Sequence, residues 1–525
     1  MPLNESQFLL AKYDISGIQD YIFSTNLLRE NAGASYHVSR ILEEYLPDAL
    51  WQTGPVFTDW KQADGLSIQK NKELKAEIIY IGGGNAMVLF RDEAAYNETS
   101  RLLARRVMKK CEGLTVVAAC IPTELKDFSN DYDKLSQKLA YVKQHTVRTL
   151  PFSPFPVVEQ DSMYGLPVTE AYNPDRRREN MTAPRYQKQK AYREMGRKTG
   201  FYQYIPKTYD YAIEMEDLGR EKGDDSYVAV IHIDGNGMGD SVRSRLGRKM
   251  GSYEEAVSEF RHFSMRITGL FWDVYGAVVE NVLEHKEYIK EQEGAGLLML
   301  RPLILDGDDL TLICTAELGL PFAAGFLKEL MKRRQDELAG ITACAGIAFV
   351  HNHFPFQIAY SIAEKCCSNA KRKWYGQKMN QGQCWLDFQV IQDVGLERIR
   401  HPKAELAYRK EDKKLRARPY VISCQADKAV NALESLCGVL SRAGNWPKNR
   451  LQRLYQAYLE GAEPVRLLEK EYESRGHRLS ELADETLEGG FDKEGNTPLY
   501  DALEVLDLCP AELLEEFLCT EMRGT

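Results

Sequence analysis

Residues 303–312 constrain the fold most, because an apolar run stops there at four residues and then resumes at once. The four residues are Asp306, Gly307, Asp308 and Asp309. Two apolar stretches joined by a short turn containing Asp-Gly predict a β-hairpin. Neighbouring carboxylates at its tip repel one another and are tolerated best when a cation binds there. The alternative is a plain solvated turn, since Asp-Gly is also an ordinary hairpin signal.

A second predicted strand ends in an acidic residue. Residues 227–233 have the continuous apolar character of a buried strand, and Asp234 and a glycine-rich turn follow them. Two neighbouring strands that each end in Asp can bring their carboxylates to the same pair of metal ions. Palm-type polymerases and nucleotide cyclases hold Mg²⁺ and a triphosphate in this way. The second Asp-tipped strand therefore favours the metal-binding interpretation over the plain turn. A calcium loop is disfavoured, because no twelve-residue ligand run follows.

The order of predicted elements repeats along the chain. The first copy has a strand at 8–13, helical pattern within 18–45, strands at 77–81 and 87–90, a helix at 98–111 and a strand at 115–121. The second has a strand at 228–234, a helix at 254–285, strands at 302–305 and 310–314, a helix at 320–332 and a strand at 342–350, followed by a further helix at 356–372. The order strand, helix, strand, strand, helix, strand is ferredoxin-like. We therefore predict an internal duplication of one α/β unit.

The two copies differ at their hairpin turns. The first turn is Gly82-Gly83-Gly84-Asn85 and carries no carboxylate, whereas the second is the acidic turn. We therefore predict that the second copy binds metal and that the first is degenerate. A glycine-rich turn can still hold phosphate through backbone N–H groups, although a plain hairpin turn is the alternative.

The predicted fold class is α/β (α+β), with two ferredoxin-like palm domains and a C-terminal helical domain. We place the first, degenerate palm at residues 1–150, an irregular basic region at 151–222, the second palm at 223–400 and the helical domain at 401–525. Residues 176–198 are strongly basic with tyrosines interleaved, which is typical of segments that follow a phosphate backbone. A solvated basic linker is the alternative. The helical tail shows apolar residues three and four apart and no catalytic cluster.

Composition excludes some classes of protein. The net charge of −9 means that nucleic acid could be bound only through a local basic patch. We expect no membrane association, because no apolar run approaches spanning length and the N-terminus does not resemble a signal peptide. Eleven cysteines without a Cys-x-x-Cys pair indicate reduced thiols and a cytoplasmic protein.

Several motifs in order resemble the large polymerase-cyclase subunit of type III CRISPR effector complexes, a family that makes cyclic oligoadenylates. Residues 13–23, 33–35 and the glycine turn resemble the first palm of that family, and residues 233–239 resemble the start of its second palm. The acidic turn resembles the Gly-Gly-Asp-Asp signature. The similarity covers most of residues 8–375. The nuclease domain that often precedes the first palm and the zinc-binding cysteines between the palms are not found, so we expect a short form.

The resemblance implies a role for individual residues. The implied catalytic metal ligands are Asp234, Asp308 and Asp309, with the carbonyl of Gly235. The implied nucleotide-binding residues are Gly235, Asn236, Gly237, Gly307, Lys371, Ser35, Gly83 and Gly84. Among them, Lys371 would contact the triphosphate. Ser35, Gly83 and Gly84 would lie at a second nucleotide. The alternative for Lys371 is an ordinary solvated charge near a helix end. Asp306 replaces the first Gly of the signature, and Asn236 stands where relatives often carry a second Asp.

The implied activity is that of a nucleotidyltransferase that uses Mg²⁺ or Mn²⁺ to make a cyclic oligonucleotide from ATP for antiviral defence. The implied partners are ATP, RNA or CRISPR-type effector subunits, and further copies of the chain; a stand-alone defence enzyme is equally compatible with the short length. One alternative is a non-catalytic scaffold or RNA-binding subunit of a CRISPR-type ribonucleoprotein, which the changes at Asp306 and Asn236 favour. Another is a GTP-using enzyme similar to diguanylate cyclases, whose turn would carry Glu where this chain has Asp309.

Overall fold

The fold is described from a computed structural model. The structure describes residues 7–63, 65–146, 157–161, 165–172, 179–219, 226–247, 251–292, 294–376, 382–391, 413–422, 431–483 and 487–519. By their internal contacts these residues form two compact units. The first comprises Met1–Tyr202, Gly237–Gly269 and Leu303–Asp308, and the second comprises Gln203–Asn236, Leu270–Pro302 and Asp309–Thr525. The predicted domain boundaries after residues 150, 222 and 400 lie outside the described residues and remain predictions.

Sixteen strands are described. They are β1 Phe8–Ser16, β2 Val56–Phe57, β3 Ala76–Gly82, β4 Asn85–Phe90, β5 Thr115–Thr123, β6 Glu170–Tyr172, β7 Glu179–Met181, β8 Tyr209–Tyr211, β9 Tyr227–Gly235, β10 Ile289–Gln292, β11 Ala295–Leu298, β12 Leu300–Asp306, β13 Asp309–Thr315, β14 Ala343–His351, β15 Cys384–Val390 and β16 Tyr420–Ile422.

Sixteen α-helices are described, and a five-residue π-helix, Ile41–Tyr45, follows the second. They are α1 Ile18–Ile22, α2 Leu28–Arg40, α3 Leu46–Thr53, α4 Ser67–Lys70, α5 Glu93–Lys110, α6 Phe128–His145, α7 Ala183–Met195, α8 Met238–Leu246, α9 Tyr253–Glu284, α10 Ala316–Arg333, α11 Phe356–Gly376, α12 Leu433–Ala443, α13 Lys448–Glu460, α14 Ala462–Ser474, α15 Leu499–Val505 and α16 Ala511–Cys519. No described helix has both the length and the apolar character needed to cross a membrane.

The two large sheets share one topology. The first has the order β2-β3-β4-β1-β5 and the second β12-β13-β9-β14-β15-β16. In each, the four strands of a βαββαβ repeat lie in the order second, third, first, fourth. Helices α5 and α6 pack on the first sheet, and α10 and α11 pack on the second. The predicted mixed α/β class with duplicated ferredoxin-like order is confirmed.

The central strand of the second sheet is buried on both faces, which explains its unbroken apolar sequence. Residues Val228, Ala229, Val230 and Ile231 of β9 are fully buried between β13 and β14. A strand covered on both faces has no alternation of polar and apolar residues, so its first exposed position stands out. In β9 the first partly exposed residue after the buried run is Asp234, where the strand leaves the core.

Helix α11 lies directly against strand β14 at Gly346. A methyl group added at this glycine would lie 2.0 Å from the carbonyl oxygen of Ala363 and 2.2 Å from the amide nitrogen of Cys367. Because no side chain fits in that space, only glycine lets the helix approach the sheet this closely. The same helix carries Lys371, so the distance of that lysine from the sheet depends on Gly346 of β14.

Some elements differ from the sequence-based expectation. Helix α7 lies in the region predicted to be irregular, and α6 was not predicted at all. One short strand, β16, interrupts the tail that was predicted to be helical, and it pairs with β15 at the edge of the second sheet. It was missed because three residues are too few for a periodic pattern.

Candidate active site

The two Asp-tipped strands are neighbours in the second sheet, as predicted. Asp309, the first residue of β13, lies directly opposite Asp234 near the end of β9 in the antiparallel register. Their side chains are 34% and 37% exposed, so both carboxylates are partly withdrawn from water. Asp308 precedes Asp309 in the two-residue turn, where Gly307 has a left-handed φ of 64°. Facing carboxylates in this setting favour a cation between them.

A cation of the protein itself already lies at Asp234. The Nζ atom of Lys371 is 2.6 Å from Asp234 Oδ2 and donates a second hydrogen bond, of 2.8 Å, to the carbonyl oxygen of Gly235. Burial alone would lower the pKa of Lys371, but the charge of Asp234 and the hydrogen bond to it outweigh burial and raise that pKa. Lys371 is therefore an ammonium ion, bound to two of the atoms that the sequence predicts as metal ligands.

Asp309 has an unsatisfied oxygen. Its Oδ1 atom is buried and accepts no well-directed hydrogen bond. The nearest basic atom is Nδ1 of His232, 3.3 Å away, which also lies 3.2 Å from the hydroxyl of Thr311. Burial is the largest influence and lowers the pKa of His232, but the charge of Asp309, the interaction with its carboxylate and the charges of Asp234 and Glu364 together outweigh burial, so the net shift is upward. A carboxylate oxygen that accepts no well-directed hydrogen bond suits a metal ligand, because a cation would satisfy it.

These observations test whether Mg²⁺ or Mn²⁺ would fit. In the part of the chain that the structure describes, no three His, Cys, Asp or Glu side chains converge as a metal-binding group. The donor chemistry nevertheless suits a hard cation: two facing carboxylates, an adjacent Asp308, a carbonyl oxygen, and a lysine that currently supplies the positive charge. The residues therefore fit the ion, and the metal-ligand assignments remain a prediction.

The residues after Asp234 shape the turn beside the site. Asn236 is buried, and its side-chain Nδ2 donates to Thr342 Oγ1 at 3.0 Å while its backbone N–H donates to the Thr342 carbonyl at 2.8 Å. Gly237 has a φ of 61° and is the N-cap residue of helix α8. Asn236 thus holds the end of β9 to the residue before β14, and its predicted contact with nucleotide remains a prediction.

The first sheet repeats the Asp–Lys pair of the second. Asp14 of β1 lies opposite Asn85 of β4, just as Asp234 lies opposite Asp309. Lys143 on α6 is 2.6 Å from Asp14, the distance that separates Lys371 on α11 from Asp234. The duplication therefore extends to polar contacts. Only the second copy has carboxylates in its turn, and the binding of metal there alone remains a prediction.

The other residues assigned to a second nucleotide have protein partners. The amides of Gly83 and Gly84 donate to the two carboxylate oxygens of Asp306, at 2.8 and 2.7 Å. The hydroxyl of Ser35 donates to the carbonyl of Leu303. All of these residues belong to the first unit. Their predicted nucleotide contacts are not tested by these bonds.

Part of the predicted polyanion surface faces inward. Residues 176–178 lie outside the described residues. On helix α7, the buried Arg185 pairs with Glu30 at 2.8 Å, and the buried Lys188 donates to the carbonyl of Tyr21 at 2.5 Å. Burial lowers the pKa of Lys188 to about 7. These two basic residues stabilise the first unit, so any phosphate contact in this segment would use the others.

Sequence reasoning did not single out His232, the Asp14–Lys143 pair or the bond between Asp306 and the glycine turn. One signal was present for His232, because it precedes Asp234 by two residues and therefore lies on the same side of β9. The others join residues far apart in sequence, and no local pattern reports them.

No family model matches the chain, and no curated protein matches it. Solved structures do match over nearly its whole length. A Csm1–Csm4 cassette in complex with one ATP aligns over 97% of this chain and 70% of that one, with a TM-score of 0.53 and 14% identity. The chain has the fold of Csm1. A Csm1–Csm4 cassette with cA3 aligns over the same shares with a TM-score of 0.51 and 13% identity. Csm1 from T. onnurineus also aligns over those shares, with a TM-score of 0.51 and 15% identity. The predicted resemblance is confirmed at the level of the fold.

Proposed function

We propose that this protein is a metal-dependent nucleotidyltransferase that makes a cyclic oligonucleotide, a cyclic oligoadenylate, from ATP in antiviral defence. The observation that carries the proposal is the position of Asp309 opposite Asp234 with Lys371 beside them. Support comes from the shared fold, because Csm1–Csm4 structures have been determined with one ATP and with cA3.

Separate residues would bind the metal and the triphosphate. Asp234, Asp308, Asp309 and the Gly235 carbonyl would hold Mg²⁺ or Mn²⁺, which when bound supplies Lewis-acid activation of a ribose hydroxyl and neutralises charge on the reacting phosphate. Lys371 would hold a triphosphate oxygen, because its ammonium lies at the same end of the sheet. The ribose hydroxyl would give up its proton to water as its oxygen bonds to the α-phosphorus, and pyrophosphate would leave with the electrons of the broken P–O bond.

Purified protein incubated with single nucleotides tests the activity. With ATP and Mg²⁺ or Mn²⁺, we expect pyrophosphate release and a cyclic oligoadenylate in the mass spectrum, and no product when EDTA replaces the metal. GTP as the only productive substrate would instead support the diguanylate-cyclase-like alternative. Nucleotide binding without any product, with and without added RNA, would support the scaffold alternative.

Lysine 371 gives a second test that does not depend on product. The ammonium of Lys371 occupies Asp234 Oδ2 and the Gly235 carbonyl, two of the predicted metal ligands. Removal of this competing cation in Lys371→Ala should therefore increase the affinity for Mn²⁺ several-fold. Titration of Mn²⁺ by electron paramagnetic resonance measures this. Product formation should fall in the same variant, because the triphosphate loses a cationic contact.

Lys365→Ala is the matched control, because Lys365 is an exposed lysine on the same helix. It should leave both Mn²⁺ affinity and product formation unchanged. If Lys371→Ala and Lys365→Ala behaved alike, the metal would bind elsewhere.

The predicted partners follow from the same comparison. Two of the matched structures pair Csm1 with Csm4. We therefore propose a protein subunit of an effector complex as a partner of this chain, besides ATP. RNA and a second copy of the chain remain predictions of the sequence.

A further inference from the structure

The glycine turn between β3 and β4 donates two backbone hydrogen bonds to one carboxylate. Gly83 N–H bonds to Asp306 Oδ1 at 2.8 Å, and Gly84 N–H bonds to Asp306 Oδ2 at 2.7 Å. Both glycines have left-handed φ angles, 59° and 70°. Both carboxylate oxygens of Asp306 thus accept a hydrogen bond. The three residues all belong to the first unit.

The hairpin does not require this carboxylate. Strands β3 and β4 are already held by their own ladder, in which Gly82 pairs with Asn85 across the turn. The amides of Gly83 and Gly84 are therefore additional donors beyond those that close the hairpin. Consecutive N–H groups in a turn form a concave anion site, and phosphate oxygens and carboxylate oxygens suit it equally well.

Asp306 takes this position in acidic surroundings. The pKa of Glu43 is raised, first by burial and then by the charge of Asp306. The pKa of Tyr80 is also raised, first by burial and then by the charges of Asp306 and Asp308. The carboxylate therefore accepts the two amide hydrogen bonds although another acidic residue, Glu43, lies near it.

The internal duplication allows Asp306 to be compared with the equivalent residue of the first repeat. Gly82 precedes the first turn as Asp306 precedes the second, so the equivalent residue of the first copy is glycine. The carboxylate is therefore a feature of one copy and not of the repeat. Its two bonds occupy the donors that the sequence assigns to a nucleotide phosphate.

We propose that the Asp306 carboxylate takes the place of a phosphate group at the Gly83–Gly84 turn. It thereby prevents phosphate groups from binding to the two amides. Asp306 is then the residue that decides whether this turn binds a nucleotide. As a specificity determinant the inference rests on the proposed function. The closure of the turn to phosphate does not, since it concerns anion binding alone. Substitution of Asp306 frees the two amides, and the turn then accepts a phosphate oxygen of a nucleoside triphosphate.

The test measures binding of inorganic tripolyphosphate in the presence of EDTA, so that no metal site contributes. Asp306→Ala should bind the probe at least about tenfold more tightly than the wild-type chain, because two charge-assisted hydrogen bonds no longer compete. Hydrogen exchange locates the bound probe. The amides of Gly83 and Gly84 should be protected by tripolyphosphate in the variant and unaffected by it in the wild type.

Asp492→Ala is the matched control. The Asp492 carboxylate also accepts two backbone hydrogen bonds, from the amides of Glu494 and Asn496 at 2.8 Å each. This variant loses the same charge and the same number of backbone hydrogen bonds, together with a third bond from Nδ2 of Asn496 at 3.2 Å. It should bind tripolyphosphate as the wild type does. Asp306→Asn serves if Asp306→Ala does not fold, because the amide keeps the shape and removes the charge; it should also bind more tightly.

The proposal would be overturned if Asp306→Ala, or Asp306→Asn in its place, bound tripolyphosphate no more tightly than the wild type. Protection from hydrogen exchange at a different turn would also overturn it. The proposed function is tested separately by the products of the wild-type chain. A chain that makes no oligonucleotide but gains tripolyphosphate binding on substitution would refute the function and keep this inference.

Discussion

Replacing Asp308 and Asp309 together with alanine should abolish oligonucleotide synthesis. Asp309 lies opposite Asp234, and Asp308 adjoins it in the turn, so the double variant removes two of the three carboxylates predicted to hold the metal. Loss of a single preorganised electrostatic group commonly costs about 10²–10³ in rate. We therefore expect a loss at least that large, measured as pyrophosphate release and as cyclic product by mass spectrometry.

The matched control removes two adjacent acidic residues that lie away from the turn. Asp336 and Glu337 are both exposed and follow helix α10. Asp336→Ala with Glu337→Ala changes the net charge equally and should leave synthesis intact. Wild-type synthesis by the Asp308→Ala, Asp309→Ala variant would place the metal site in another part of the chain.

The same double variant should also show that the site is electrostatically strained without metal. In EDTA, removal of two carboxylates near Asp234 relieves like-charge repulsion, so the free energy of unfolding should rise slightly. Added Mn²⁺ should stabilise the wild-type chain and not the variant, because a ligand that binds only the native state raises its stability. Urea unfolding with and without Mn²⁺ measures both effects.

Replacing Arg418 with alanine should destabilise the second unit by about 3–5 kcal/mol, the usual cost of leaving buried charges unpaired. The Arg418 side chain is 3% exposed and lies 2.5 Å from Glu504 and 3.4 Å from Asp501, both of which are buried. Burial alone would lower the pKa of Arg418, but the charges of Glu504 and Asp501 raise it well above its usual value. The variant would leave Asp501 without its cation and Glu504 with only Arg416, 3.9 Å away, and the urea midpoint should fall accordingly.

Arg453→Ala is the control, because Arg453 also makes a carboxylate pair, with Glu471 at 2.8 Å, but on the surface. Exposed pairs contribute little, since water and salt screen them. Its midpoint should equal that of the wild type within error. An Arg418→Ala midpoint no lower than that of Arg453→Ala would mean that the buried carboxylates find other partners or become protonated at no cost.

The sequence by itself determined the order of strands and helices in the βαββαβ unit of both repeats and the place of the acidic turn. Apolar periodicity reports which face of an element is buried, and this information is local, so β9, β12, β13 and α11 could be predicted within a few residues. The position of Asp234 next to Asp309 followed as well. Both residues mark the ends of strands that the repeat order makes neighbours, and the antiparallel register places them opposite each other.

The tertiary structure decided which polar groups meet. Lys371 reaches Asp234 because Gly346 lets α11 lie against β14, and Asp306 bonds to Gly83 and Gly84 from more than two hundred residues away. Periodicity describes one element at a time and cannot report such contacts. They depend on packing distances between elements that are remote in sequence, where a shift of about 1 Å makes or breaks a hydrogen bond. For this reason the sequence showed a glycine-rich turn with free backbone amides, and only the folded chain shows that Asp306 accepts hydrogen bonds from two of them.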